Sequence, residues 1–88
     1  MYIIQISKAC KKDIKLQGKR GKNFDKFKAV ISLLEMGVSL DDKYRDHKLS
    51  GNWDSWRECH IEPDWLLIYR ITDKTLELSR TGTHADLF

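Results

Sequence analysis

Hydrophobic positions along the chain change period twice, and the changes divide it into helical and extended parts. Tyr2 to Ile6 is a short run rich in β-branched residues, read as a strand. It ends at Ser7, a favourable N-cap for a basic helix over Lys8 to Lys19 whose apolar stripe is thin: Cys10, Ile14 and Gln17. Gly18 and Gly21 close that segment. Asn23 then caps a second helix over Phe24 to Met36, in which Phe27, Val30, Ile31 and Leu34 follow the i, i+3, i+4, i+7 template and Gly37 is the stop. From Asp41 to Trp53 neither period is sustained, which predicts an ordered loop.

Beyond it the period becomes two. Ser55 to Ile61 alternates, placing Trp56, Glu58, His60 and Glu62 on one side and Arg57, Cys59 and Ile61 on the other. Pro63-Asp64 supplies a turn, Trp65 to Thr72 a second strand, Asp73-Lys74 a tight connection, and Thr75 to Thr83 a last strand. The order β-α-α-β-β-β describes an α+β fold, an antiparallel sheet packed against two N-terminal helices.

Eighty-eight residues, 41% hydrophobic and 33% charged, suffice for one core, so residues 1–88 are expected to form a single domain. The longest apolar run, Trp65 to Tyr69, is far too short to span a bilayer, and MYIIQISK lacks the features of a secretory leader. No membrane association is therefore expected. With only Cys10 and Cys59, the reading is a cytoplasmic protein with free thiols. The net charge of +3 is unevenly placed, because residues through Lys28 carry nine basic side chains against two acidic ones. Lys8, Lys11, Lys12, Lys15, Lys19 and Arg20 belong to that cationic third, which suits a phosphate backbone or an acidic protein partner.

The candidate chemistry lies in the other part. WRECHIEPDW, Trp56 to Trp65, packs titratable groups into a hairpin arm, and the three histidines are His47, His60 and His84. A meander can bring the His60–Asp64 corner and the Arg80–His84 end to one rim. Imidazoles exchange protons near neutral pH, carboxylates orient them, and arginine steadies an anion; these are the functions that RNA cleavage by its own 2′-OH requires, without a metal. A zinc site from Cys59, the histidines and Asp64 lacks paired ligand spacing, so neither metal nor cofactor is expected. The tryptophans read as packing residues. Glu58 and Glu62 read as solvated partners of Arg57 or of lysines, with Asp64 orienting or sharing a proton with His60.

Three ordered blocks carry a family likeness: DHKLSGNW from Asp46, RECHIEPDW from Arg57 and RTGTHADLF from Arg80. Together they resemble the YafQ branch of the RelE superfamily of bacterial type II toxins. The resemblance implies a ribosome-dependent mRNA interferase, an endoribonuclease acting on mRNA in the decoding site of the 70S ribosome and neutralised by a cognate antitoxin. It places His47, His60, Asp64 and His84 at acid–base positions, with their division into acid and base left open. Arg80 falls at a phosphate-facing position and Phe88 on an aromatic near the substrate base. The cationic third then faces rRNA or the antitoxin, and operator DNA is met only through the toxin–antitoxin complex. Two rivals share the outline: a gyrase-poisoning toxin of the same fold, against which the histidine set speaks, and a non-catalytic nucleic-acid-binding module.

Overall fold

The computed structural model describes residues 1–88. Its elements are β1 (Ile3–Ile6), α1 (Lys8–Lys19), α2 (Phe24–Glu35), a 3-10 turn (Asp42–Tyr44), β2 (His47–Lys48), a second 3-10 turn (Gly51–Trp53), β3 (Arg57–Glu62), β4 (Trp65–Thr72), β5 (Thr75–Gly82) and α3 (His84–Leu87). No helix is long and apolar enough to cross a membrane. Both expected helices form where the caps place them. Ser7 Oγ accepts from the Cys10 amide at 3.0 Å, and Asn23 Oδ1 from that of Asp25 at 3.0 Å.

The five strands form one sheet in the order β1-β5-β4-β3-β2. The C-terminal meander is antiparallel as expected, but β1 lies parallel to β5, Ile3 opposite Thr75, so the sheet is mixed. The helices are the reason: they occupy the crossover between β1 and the rest of the sheet, and a chain that returns through such a crossover can arrive parallel. Where β1 ends, α1 takes over the edge of β5. Ser7 Oγ donates to the Ser79 carbonyl at 2.7 Å, and Asp13 Oδ2 accepts the Thr81 amide at 3.1 Å, satisfying edge groups that β1 no longer reaches.

One sheet face carries the core. Cys59, Ile61, Trp65, Leu67, Tyr69, Leu76 and Leu78 meet Cys10 of α1 and Phe27, Val30 and Leu34 of α2. Trp65 lies stacked at 5.9 Å from Phe27 and edge-on at 5.5 Å from Phe24, with its Nε1–H donating to Thr81 Oγ1 at 3.0 Å. Burial pushes the Cys10 thiol up to about 12 and the Cys59 thiol higher still. Cys59 therefore packs as a small hydrophobe and points away from the histidines.

The opposite face positions the polar groups. Register sets His47, Glu58, Ile68 and Arg80 in one row across β2, β3, β4 and β5, and His60, Leu66 and Gly82 in the next. Leu66 and Ile68, fully buried, form the apolar floor between the two sides of each row. Glu62 departs from the alternation. A bulge after His60 sets it opposite Trp65, and it pairs with Lys22 (3.5 Å) and Lys26 (3.0 Å) on the helical side.

Candidate active site

The loop expected between Asp41 and Trp53 holds a short strand, and that strand delivers His47. Asp46, just before it, is fixed from two directions: Tyr69 donates from its hydroxyl at 2.6 Å, and Arg57 donates from Nε and Nη2 at 3.3 and 3.2 Å. Arg57 thus pairs with Asp46 rather than with a glutamate. Burial, reinforced by the Asp46 carboxylate, pushes the Tyr69 phenol far above its usual range, so it remains a donor. Arg45, at φ 49°, turns its carbonyl onto His47 Nδ1 at 2.6 Å.

His60 comes from β3 and spends Nδ1 on the Pro63 carbonyl at 3.2 Å. Its Nε2 lies 3.3 Å from Glu58 Oε1, and His47 Nε2 lies 3.6 Å from the same oxygen. Glu58 is only 5% exposed, which overturns its reading as a solvated partner of Arg57. The signal was present in the alternation, which set Glu58 and His60 on one face two residues apart. A carboxylate sunk between two imidazoles is stabilised when a proton sits on a facing nitrogen.

His84 is brought in differently. The expected last strand stops at Gly82, and Thr83 caps α3, with Asp86 closing a reciprocal capping box. His84 is thus the first residue of a helical turn. Asp64, in the β3–β4 turn, accepts both its backbone N–H (2.9 Å) and its Nδ1–H (2.7 Å). These two bonds, the backbone one first, hold the Asp64 carboxyl below its usual range. Asp64 is therefore the partner of His84, not of His60. With Nδ1 committed as a donor, neutral His84 presents a bare Nε2.

The three rings form a chain: centroids are 6.3 Å apart for His47 and His60, and 5.7 Å for His60 and His84. Ligand atoms of Glu58, His60 and His84 lie within 4.8 Å of one another, so these three groups, rather than the Cys59 set, could hold a metal ion.

Arg80 is gripped by Asp13 through Nε (2.7 Å) and Nη2 (3.1 Å), which raises its pKa further and leaves Nη1 for another anion. Phe88 is 61% exposed, with its amide donating to the His84 carbonyl at 2.9 Å. On α1, Lys8, Lys11, Lys12, Lys15 and Lys19 follow the helical repeat along one exposed stripe, opposite the buried Cys10 and Gln17. Arg20 is set apart from that stripe. Asp86 holds it at 2.6 and 3.1 Å and also accepts the Thr83 amide; these bonds, Arg20 first, keep the Asp86 carboxyl well below its usual range. Arg20 thereby ties α1 to the turn that carries His84.

Comparison with known proteins agrees with this architecture. The family described as the bacterial toxin of type II toxin–antitoxin system, YafQ, matches residues 2–88. The chain is 48% identical over 86 residues to the mRNA interferase toxin YafQ of Escherichia coli K12, covering 97% of this chain and 94% of that one. A copper-bound mutant toxin from Helicobacter pylori superposes with a TM-score of 0.96 at 36% identity, covering all of both chains. The E. coli DinJ–YafQ complex matches with a TM-score of 0.91 at 45% identity, covering 100% of this chain and 99% of that one. From the matched residues, the shared fold and the identity over nearly its whole length, the chain belongs to the YafQ family of toxins of bacterial type II toxin–antitoxin systems.

Proposed function

We propose that this toxin is an mRNA interferase that cleaves message presented by the ribosome through metal-independent acid–base catalysis. The observation that carries the mechanism is the unequal setting of two imidazoles with centroids 5.7 Å apart. His84, with Nδ1 on Asp64, offers a bare Nε2 that takes the proton from a ribose 2′-OH. The 2′ oxygen attacks the adjacent phosphorus, and the P–O5′ bond breaks. His60, whose Nε2 faces the Glu58 carboxylate, gives its proton to the departing 5′ oxygen. The products are a 2′,3′-cyclic phosphate and a 5′-hydroxyl. Arg80 Nη1 steadies the charge on the phosphate, His47 Nε2 faces the same Glu58 carboxylate oxygen, and exposed Phe88 packs against a substrate base.

The openness of the site supports ribosome dependence. His84 and Asp64 have side chains 55% and 64% exposed on a rim, a setting in which another body would fix the RNA. The α1 lysine stripe supplies contacts to rRNA phosphates. The DinJ–YafQ complex of the relative supports a cognate antitoxin that sequesters this chain.

The test is in vitro translation of a defined message with mapping of the RNA ends. Codon-positioned cuts ending in 2′,3′-cyclic phosphate, with free RNA spared, are expected with or without a zinc-selective chelator that leaves the ribosome's Mg²⁺ in place. An intact message sinks the reading in favour of a protein-poisoning or non-catalytic toxin. Activity abolished by a chelator and restored by zinc would transfer Glu58, His60 and His84 to a metal mechanism.

A further inference from the structure

β2 pairs with β3 only at Arg57 and Glu58, so beyond that point the outer edge of β3 is flanked by the Asp42–Tyr44 turn and by α2 instead of by a strand. An open cavity of about 460 Å³ fills this gap. That volume lies within the roughly 300–1,000 Å³ span of small-ligand sites. Its floor is apolar, from Ile61 and Pro63, and Tyr44 adds an aromatic wall packed against the core. Three cations line it: Lys26, Lys43 and Arg45. Lys26 is engaged by Glu62 at 3.0 Å, whereas Lys43 and Arg45 are exposed and form no ion pair. Lys43 Nζ lies 5.1 Å from the Tyr44 ring centroid.

The cavity adjoins the catalytic imidazoles at two points. His60 is one of its lining residues. Arg45 joins the two directly, because the left-handed turn that puts its carbonyl on His47 Nδ1 leaves its side chain lining the cavity. We propose that this cavity is a nucleotide subsite, taking the message nucleotide next to the scissile phosphate, with its base against Tyr44 and its phosphate on Arg45 and Lys43. The inference rests on the interferase reading. An acidic side chain of a protein partner would use the cations but not the aromatic wall, and an rRNA phosphate is better met by a convex stripe such as that on α1. A cation pair, a ring and an apolar floor together suit one whole nucleotide.

The test uses Tyr44→Leu, which keeps apolar packing but removes the π-face, and Arg45→Asn, because asparagine tolerates the left-handed backbone. Toxin affinity is measured on ribosomes carrying an A-site codon with an uncleavable 2′-deoxy sugar, on ribosomes without message, and on the antitoxin. Each variant is expected to lose about tenfold of the affinity gained from message, the size of one base stack or one charged contact, while binding to message-free ribosomes is retained. Tyr44→Leu should also flatten base preference at one position flanking the cut. Equal losses with and without message would assign the cavity to rRNA, and a loss confined to antitoxin affinity would assign it to the protein partner. Either result overturns the proposal, as does unchanged binding throughout. Failure of the interferase reading itself would show first in the wild-type protein, as no gain from message and no cut, and the subsite would fall with it.

Discussion

Replacing Glu58 by glutamine changes the charge of the site with little change in its shape. Glu58 is buried in the wild-type protein, and its carboxylate lies 3.3 Å and 3.6 Å from two imidazole nitrogens. At an effective dielectric near 20, a unit pair at such separations carries a gross attraction of roughly 5 kcal/mol. Much of this is offset by taking the carboxylate out of water, and a charge-assisted contact retains about 1.5–3 kcal/mol net. If that energy holds the acidic proton at His60 in the transition state, Glu58→Gln lowers single-turnover cleavage on programmed ribosomes by roughly 10- to 150-fold. Melting and circular dichroism establish that the domain stays folded. Glu58→Ala adds a packing defect, so the two variants separate charge from volume: glutamine with a wild-type rate beside an impaired alanine variant would make Glu58 a spacer and refute the proton-holding role.

Other residues make separate demands. Asp64→Ala removes the one oxygen that accepts both the backbone and the ring N–H of His84 and should lower the rate by about 100-fold, at the lower end for an acid–base group; because the Asp64 carboxyl lies below its usual range, its hold on His84 is complete above the ordinary carboxylate pKa and is lost as pH falls through the lower folded value. Tyr69→Phe deletes the 2.6 Å bond to Asp46 and should cost about 1 kcal/mol in urea denaturation, with a few-fold slower cut as His47 loosens. Gly82→Ala would place a Cβ 2.9 Å from Asp86 Oδ2 and 3.0 Å from its Cβ, displacing the carboxylate that caps α3 and holds Arg20; about 1–3 kcal/mol should be lost, and wild-type stability would show that the turn yields freely. Changing Lys11, Lys12 and Lys15 together to glutamine should flatten the salt dependence of ribosome binding by about 0.7–0.9 in log–log slope per lysine, and an unchanged slope removes α1 from the rRNA contact.

What the sequence discloses is set by how local each determinant is. The α2 core face and the caps at Ser7 and Asn23 depend on neighbours within one or two turns, and both helices start where expected. The direction of β1 depends on a partner more than seventy residues away, and an Ile-rich strand of four residues contains nothing that distinguishes parallel from antiparallel. α3 is too short for periodicity to reveal, although Thr83 and Asp86 have capping-box spacing. Alternation placed Glu58 beside His60 correctly, but burial depends on what covers the strand, and Ile68 and His47 come from other strands. The bulge that turns Glu62 to the helices has no sequence mark beyond the nearby Pro63.

In the proposed mechanism, three chemically identical side chains are given different work by where two carboxylates fall. Each imidazole has Nδ1 fixed by an oxygen: Arg45 carbonyl for His47, Pro63 carbonyl for His60, Asp64 carboxylate for His84. The anion sits behind His84, on the nitrogen that bears hydrogen, which leaves the opposite nitrogen bare. For His60 and His47 the anion sits in front, 3.3 and 3.6 Å from Nε2. That polarity has a local origin. Glu58 precedes His60 by two residues on an extended strand and so shares its face, while Asp64 follows in the turn and reaches across to the first residue of α3. Sheet register then brings the two systems to one rim, with Leu66 as the dry floor between His60 and Gly82. The proposed assignment of base to His84 and acid to His60 thus depends on the placement of Asp64 and Glu58, which is why neutralising either carboxylate should impair cleavage even with all three histidines intact.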